Sequence, residues 1–185
     1  MKPLKTLFAV CVLVFAASLA VAQGGAIMLF SDTQGFECDL FDRVPGLCTY
    51  YVVHVATPGA TASQWAAPKP ACFLATFLSD TPWWPVVIGN SQTGISIGYG
   101  ACLAAPIHIL TINFFCQGLT GDCCLYEVVP DPNAPQGQIL VVDCDENLIY
   151  GHGGTSVINP TASCCCNCTP TKESTWGKVK SLYTK

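Results

Sequence analysis

Apolar and polar residues alternate along this chain, or apolar ones gather in short runs, with turn residues breaking the pattern about every 8–12 positions. The richest stretch, residues 86–116 (VVIGNSQTGISIGYGACLAAPIHILTINFFC), predicts strand, turn, strand, turn and long strand. Within it, residues 86–88 and 95–99 pair across a turn at 89–94. Residues 107–116 form the longest strand, with His108, Leu110, Ile112 and Phe114 on one face.

Shorter β signals flank this stretch. Residues 25–30 (GAIMLF) predict a first strand, and residues 47–56 (LCTYYVVHVA), apolar on both faces, predict a central one. A loop is expected at 57–63, a short edge strand at 64–67 and a further strand at 71–78. Residues 125–129 and 139–143 flank PDPNAPQG, a loop with three prolines, and predict a second hairpin. That hairpin sets Cys124 opposite Cys144 as a cross-strand disulfide, with Cys123 as the rival partner. A weak strand follows at 148–150. Only residues 175–183 read as a helix: Thr175 caps it, and Trp176, Val179, Leu182 and Tyr183 share a face. The expectation is an all-β fold, an antiparallel two-sheet sandwich, with a short C-terminal helix.

The first 22 residues change the reading from fold to compartment. Lys2 and Lys5 precede an apolar run at 7–19, and Ala20-Val21-Ala22 offers small residues where a signal peptidase cuts. The expected organisation is a cleaved signal helix at 1–22, a disulfide-rich domain at 23–170 and a basic tail at 171–185. Cleavage removes Cys11 and leaves twelve cysteines, an even number that favours disulfides in an exported chain. Six bridges allow about ten thousand pairings, so spacing alone does not set the connectivity. No later run reaches the roughly 18 apolar residues of a membrane helix.

Charge narrows the partners. Only 11% of residues are charged, against about 25% in an ordinary globular protein. Residues 23–171 carry two basic and eleven acidic side chains, a net of −9, while residues 172–185 carry four lysines against Glu173. Such an acidic body excludes a nucleic-acid footprint, which needs clustered Lys and Arg. A surface of uncharged residues on an exported domain suits packing against an extracellular protein or a polysaccharide.

Chemical motifs are few and incomplete. Cys165 and Cys168 have the C-x2-C spacing of a zinc site, with Cys164 and Cys166 as further ligands, but export favours bridges over metal. Residues 143–147 (DCDEN) begin like a calcium loop and then lack its turn glycine and its bidentate Glu. Ser91 sits in GNSQTG, one residue off the nucleophile elbow, and His152 in GHGG lacks a nucleophile. His54 and His108 fall inside strands. No catalytic residue, cofactor or enzymatic activity is therefore expected. The best candidates for partner contact are Trp83 and Trp84, held between prolines, with Trp65 and Tyr99 nearby; at least one of the two adjacent indoles is expected to plug the core.

Together, the run VVIGNSQTGISIGYGACLAAPIHILTINFF and the tail TWGKVKSLY resemble small exported bacterial β-sandwich proteins of unassigned function. The strand spacing is also similar to that of cohesin-like and immunoglobulin-like sandwiches. This resemblance concerns fold and carries over no site residue.

Overall fold

A computed structural model describes residues 24–166, and all its regular elements there are strands. The signal segment 1–22, the helix expected at 175–183 and Cys168 lie outside the described residues.

Twelve strands follow one another: β1 (Ala26–Phe30), β2 (Asp39–Leu40), β3 (Pro45–Val55), β4 (Ala60–Trp65), β5 (Ala75–Thr81), β6 (Val86–Asn90), β7 (Gly94–Leu103), β8 (Ile107–Gln117), β9 (Cys124–Glu127), β10 (Ile139–Val142), β11 (Leu148–Gly153) and β12 (Thr155–Ile158). Nine of them form one sheet in the order β5-β8-β3-β1-β11-β10-β4-β7-β6, and the remaining three form a second sheet, β2-β12-β9. The larger sheet has two wings, β5-β8-β3-β1 and β11-β10-β4-β7-β6. They are joined where β1 runs parallel to β11, with Ala26 opposite His152 and Ile27 opposite Gly153.

Alternation explains why the wings face each other. Tyr50, Val52, Ile112 and Phe114 point inward from the first wing, and Trp65, Ile95, Ile97, Tyr99 and Val141 from the second; all belong to one buried cluster. Leu40, Tyr126 and Ile158 from the small sheet join the same core. The wings thus curl into a nearly closed, barrel-like sheet capped by a small one. This corrects the expectation of two separate antiparallel sheets. Its cause is the weak strand expected at 148–150, which as β11 pairs with β1 and stitches the wings together.

The hairpin expected between 125–129 and 139–143 does not form. β9 pairs with β12, while β10 pairs with β4 and β11, so the proline-rich loop crosses from one sheet to the other. The Cys124–Cys144 bridge falls with it: Cys124 is bonded to Cys72 and Cys144 to Cys102. The edge strand expected at 64–67 is instead β4, which starts at Ala60 and lies inside the sheet between β10 and β7. Its small residues, Ala60, Ala62 and Ser63, hide it from a hydropathy reading.

Candidate binding face

The inner faces of both wings are filled, so the surfaces open to contact are the outer ones. On β3, the residues out of phase with Tyr50 and Val52 are Leu47, Thr49 and Tyr51. Strand pairing extends these into three rows across β8 and β5: Leu47–Phe115–Thr76, Thr49–Asn113–Ser79 and Tyr51–Thr111–Thr81. None of the nine is charged. Phe115 and Leu47 are exposed at one end, and Leu78 stands out beside them from the bulge in β5. In the middle row, Thr49 donates to Asn113 Oδ1 (3.2 Å), while the Asn113 amide donates to Thr81 Oγ1 (3.0 Å).

An aromatic cluster closes the other end. Trp83 is 60% exposed, its indole stands edge-on to the His108 ring with centroids 4.3 Å apart, and its Nε1 donates to the His108 carbonyl (3.4 Å). Tyr51 meets the same imidazole at 5.2 Å. Nε2 of His108 lies 3.0 Å from the Leu110 carbonyl, which only accepts, so Nε2 carries the proton. Burial between the two rings lowers the His108 pKa, and the Leu110 hydrogen bond partly opposes that shift.

His108 corrects a phase reading. It was expected on the face of Leu110, Ile112 and Phe114, but the register shifts where Val52 and Val53 meet Leu110 and His108. One residue of β8 is extra there, so Ile109 and Leu110 are both buried and His108 turns outward. A bulge leaves no mark in hydropathy. Leu47, Tyr51 and Phe115 share this outer face, and the signal that marks them is their alternation against buried Cys116, Tyr50 and Val52.

The four aromatic candidates separate. Trp83 is on the face. Trp84 is partly buried, packs on Tyr99 at 5.3 Å and plugs the core, its Nε1 without a hydrogen-bond partner among the described residues. Trp65 and Tyr99 are corrections: they are 0% and 3% exposed, point inward from β4 and β7, and contact no partner surface. They share a buried polar chain instead. Trp65 Nε1 donates to Ser63 Oγ (3.1 Å), Ser63 Oγ lies 2.8 Å from the Tyr99 hydroxyl, and that hydroxyl meets His54 Nδ1 at 3.2 Å. His54 Nε2 ends the chain by donating to the Gly24 carbonyl (2.6 Å). The chain satisfies buried groups between the wings and has no access from solvent.

No hydrolase constellation assembles from the motif fragments. Ser91 is fully buried, its hydroxyl donates to Asp80 Oδ1 (2.7 Å), and Gln92 Nε2 donates to it. His152 is part of β11, and Gly153 beside it permits a close crossing of the Val128 carbonyl that any side chain would block. In the acidic turn, Asp143 accepts the N–H groups of Asp145 and Asn147 and the Asn147 amide, so its carboxylate serves its own loop. These bonds, the Asn147 side chain first, hold its pKa below the usual range.

The cysteine cluster is bridged. Cys164 is bonded to Cys123 and Cys166 to Cys38, and Cys165 is also in a disulfide. Three of the four thiolates a metal would need are thus committed. The one group of potential ligands that converges among the described residues, Asp42, Cys48 and Cys116, fails likewise, because its two sulfurs are joined to each other.

No protein-family model matches the chain, and no curated protein matches it. Solved structures do. The fold is similar to the third ScaB cohesin of R. flavefaciens, solved in complex with a group 1 dockerin: 12% identity over 77% of this chain and 98% of that one, with a TM-score of 0.51. It is also similar to a cohesin module from a family 33 glycoside hydrolase of Clostridium perfringens (9% identity, 74% and 98% covered, TM-score 0.48). A third is the non-cellulosomal cohesin of the archaeon Archaeoglobus fulgidus (11% identity, 72% and 89% covered, TM-score 0.40). At these identities the likeness concerns the fold alone.

Proposed function

We propose that this chain is an exported, non-enzymatic binding module that holds an extracellular protein on the outer face of β5-β8-β3. The observation that carries the reading is the face itself: nine uncharged residues in three rows on a body of net charge −9, with Trp83, His108 and Tyr51 clustered at one end. A partner's apolar side chains meet Leu47, Leu78 and Phe115 there without desolvating a charge, and the rigid indole is the kind of anchor that dominates interface energies. Export is supported by the leader-like residues 1–22 and by five disulfides among the described residues, which need an oxidising compartment. The R. flavefaciens cohesin of similar fold, solved in complex with a dockerin, supports a protein as the occupant.

Polysaccharide is the second reading, favoured by the exposed Trp83 ring beside Tyr51, which offers a stacking surface for a sugar. A photo-crosslinking residue placed at Asn113 in secreting cells tests both, with a second one at Ile88 on the other wing as control. The proposal expects one discrete protein adduct at Asn113, absent at Ile88 and lost in Trp83→Ala. Retention on insoluble polysaccharide that vanishes in Trp83→Ala, with no protein adduct, selects the second reading. Neither adduct nor retention sinks both.

A further inference from the structure

The aromatic end of the β5-β8-β3 face holds an unused acceptor. His108 Nε2 gives its proton to the Leu110 carbonyl (3.0 Å), with Thr111 Oγ1 at 3.1 Å. Nδ1 of this neutral imidazole therefore keeps its lone pair, and no described residue donates to it. Nor is it sealed in. Trp84 Nε1 is the only buried side-chain nitrogen or oxygen without a hydrogen bond among the described residues, so His108 Nδ1 stands open to solvent.

The groups around the ring are uncharged. β3 supplies Tyr51, with centroids 5.2 Å apart, and Val53, which lies opposite His108 in register. The loop after β5 supplies Trp83 at 4.3 Å, and β8 itself supplies Leu110 and Thr111. The carboxylate of β5, Asp80, turns away to accept the Ser91 N–H and hydroxyl. His54, the other histidine of this wing, points into the fold and is 0% exposed.

A protein that covers Trp83 and Tyr51 also covers Nδ1. Covered without a donor, the acceptor loses its water and gains nothing, which costs roughly ten- to hundredfold in affinity. An ammonium or guanidinium group would satisfy Nδ1, but would itself be buried with no carboxylate beside it. The chemistry that fits is a neutral N–H or O–H set in apolar surroundings.

We propose that His108 sets the specificity of this face: Nδ1 accepts a hydrogen bond from an uncharged donor, an amide or a hydroxyl, that the partner protein seats beside Trp83 and Tyr51. This deepens the reading of β5-β8-β3 as a protein-binding face and rests on it. Acid opposes the contact, because a proton at Nδ1 replaces the acceptor with an N–H that faces the partner's own donor. A bound donor thus holds the ring neutral, and affinity falls as the pH drops through the His108 pKa. Burial has already lowered that pKa, with the Leu110 bond opposing in part. Since it lies below the ordinary value of 6.5, the loss between pH 7.5 and 5.5 is at most about tenfold.

Photo-crosslinking at Asn113 in secreting cells, with the protein expressed below saturation, gives the readout. His108→Leu should cut the protein adduct at least about tenfold at pH 7.5. His108→Gln should retain it, because one amide both donates to Leu110 and accepts from the partner. The wild-type adduct should weaken between pH 7.5 and 5.5, and the His108→Gln adduct should weaken less. An equal adduct in His108→Leu, or the same pH response in His108→Gln, overturns the inference and leaves the binding face intact. Absence of any protein adduct overturns both. Nitrogen-15 NMR of the His108 ring in the full secreted chain needs no partner: a proton on Nδ1 instead of Nε2 at pH 7.5 also overturns it.

Discussion

Lowering the pH from 7.5 to 5.5 should destabilise this protein through one buried ring. His54 is 0% exposed, with Nε2 donating to the Gly24 carbonyl and Nδ1 facing the Tyr99 hydroxyl. The carbonyl only accepts, so Nε2 holds the single proton of a neutral imidazole and Nδ1 accepts. A second proton at Nδ1 would put a charge between the wings, where no carboxylate is hydrogen-bonded to it. Burial accordingly lowers the His54 pKa, with the Gly24 bond opposing in part. A histidine with a depressed folded pKa binds its proton more readily when unfolded, so stability is lost as pH falls below the unfolded value of about 6.5. Between pH 7.5 and 5.5 the unfolded ring goes from about one-tenth to about nine-tenths protonated. If the native ring stays neutral, the loss is about 1.4 kcal/mol, or about 3–5 °C in Tm for a domain of this size. His108 shifts in the same direction but is half-exposed, so its share is smaller; Asp80, whose carboxyl is raised by burial, acts in the opposite sense. Both remain in a His54→Gln variant, so the difference between the two profiles isolates His54. Guanidinium unfolding with disulfides intact should show the wild-type loss and a variant flatter by about 1.4 kcal/mol. A wild-type stability that holds or rises toward pH 5.5, or an unchanged slope in the variant, would refute the reasoning.

Two further outcomes follow from the placement of the tryptophans and cysteines. Trp65→Ala should cost about 3–5 kcal/mol in chemical denaturation, because it empties a core site and removes the donor to Ser63, whereas Trp83→Ala should cost about 1 kcal/mol or less; equal costs would mean that the face and core assignments are wrong. A non-reducing peptide map should recover Cys72 linked to Cys124 and Cys102 linked to Cys144, while a fragment joining Cys124 to Cys144 would restore the hairpin that the structure replaces.

Period-two patterning made the long strands legible. Residues 25–30, 47–56, 86–99 and 107–116 were readable as strands because each carries enough branched and aromatic residues to show its phase, and β1, β3, β6, β7 and β8 lie there. β4 was not, because alanine and serine fill a crowded inner position without registering as apolar. The location of Trp65 and Tyr99 was half-readable: Tyr99 is in phase with Ile95 and Ile97, and Trp65 with Ser63, and a core reading of both phases would have placed them inside. Pairing partners were illegible for a different reason. β9 and β10 have a plausible local loop between them, yet each gains more from a distant neighbour, β12 for one and β4 with β11 for the other, and no local pattern encodes that competition. The binding face suffered from the bulge at Ile109, which reverses the phase of β8 and so concealed the contact between His108 and Trp83.

The disulfides occupy the places the ladders leave weak. Of the five bridges between described residues, only Cys48–Cys116 joins neighbouring strands, β3 and β8, which already share the longest pairing in the fold. Cys72–Cys124 instead ties the run before β5 to β9, and thus the large sheet to the small one. Cys102–Cys144 holds the end of β7 to the acidic turn after β10. Cys123–Cys164 and Cys38–Cys166 fix a segment beyond the last strand, whose backbone also forms an isolated bridge between Thr161 and Cys164 and a hydrogen bond from the Cys166 N–H to Asp39. The core, with Phe73, Phe114 and Tyr126 packed ring to ring, needs none of these to be apolar and buried. Bridges so placed act chiefly against local opening, which starts at ends and at weakly paired edges. Stepwise reduction should therefore release residues 161–166 and loosen the three-stranded sheet while the nine-stranded sheet, and with it the face of β5-β8-β3, keeps its protected amides. If the large sheet opens first, the bridges are supporting the core after all, and the face cannot be treated as a rigid platform.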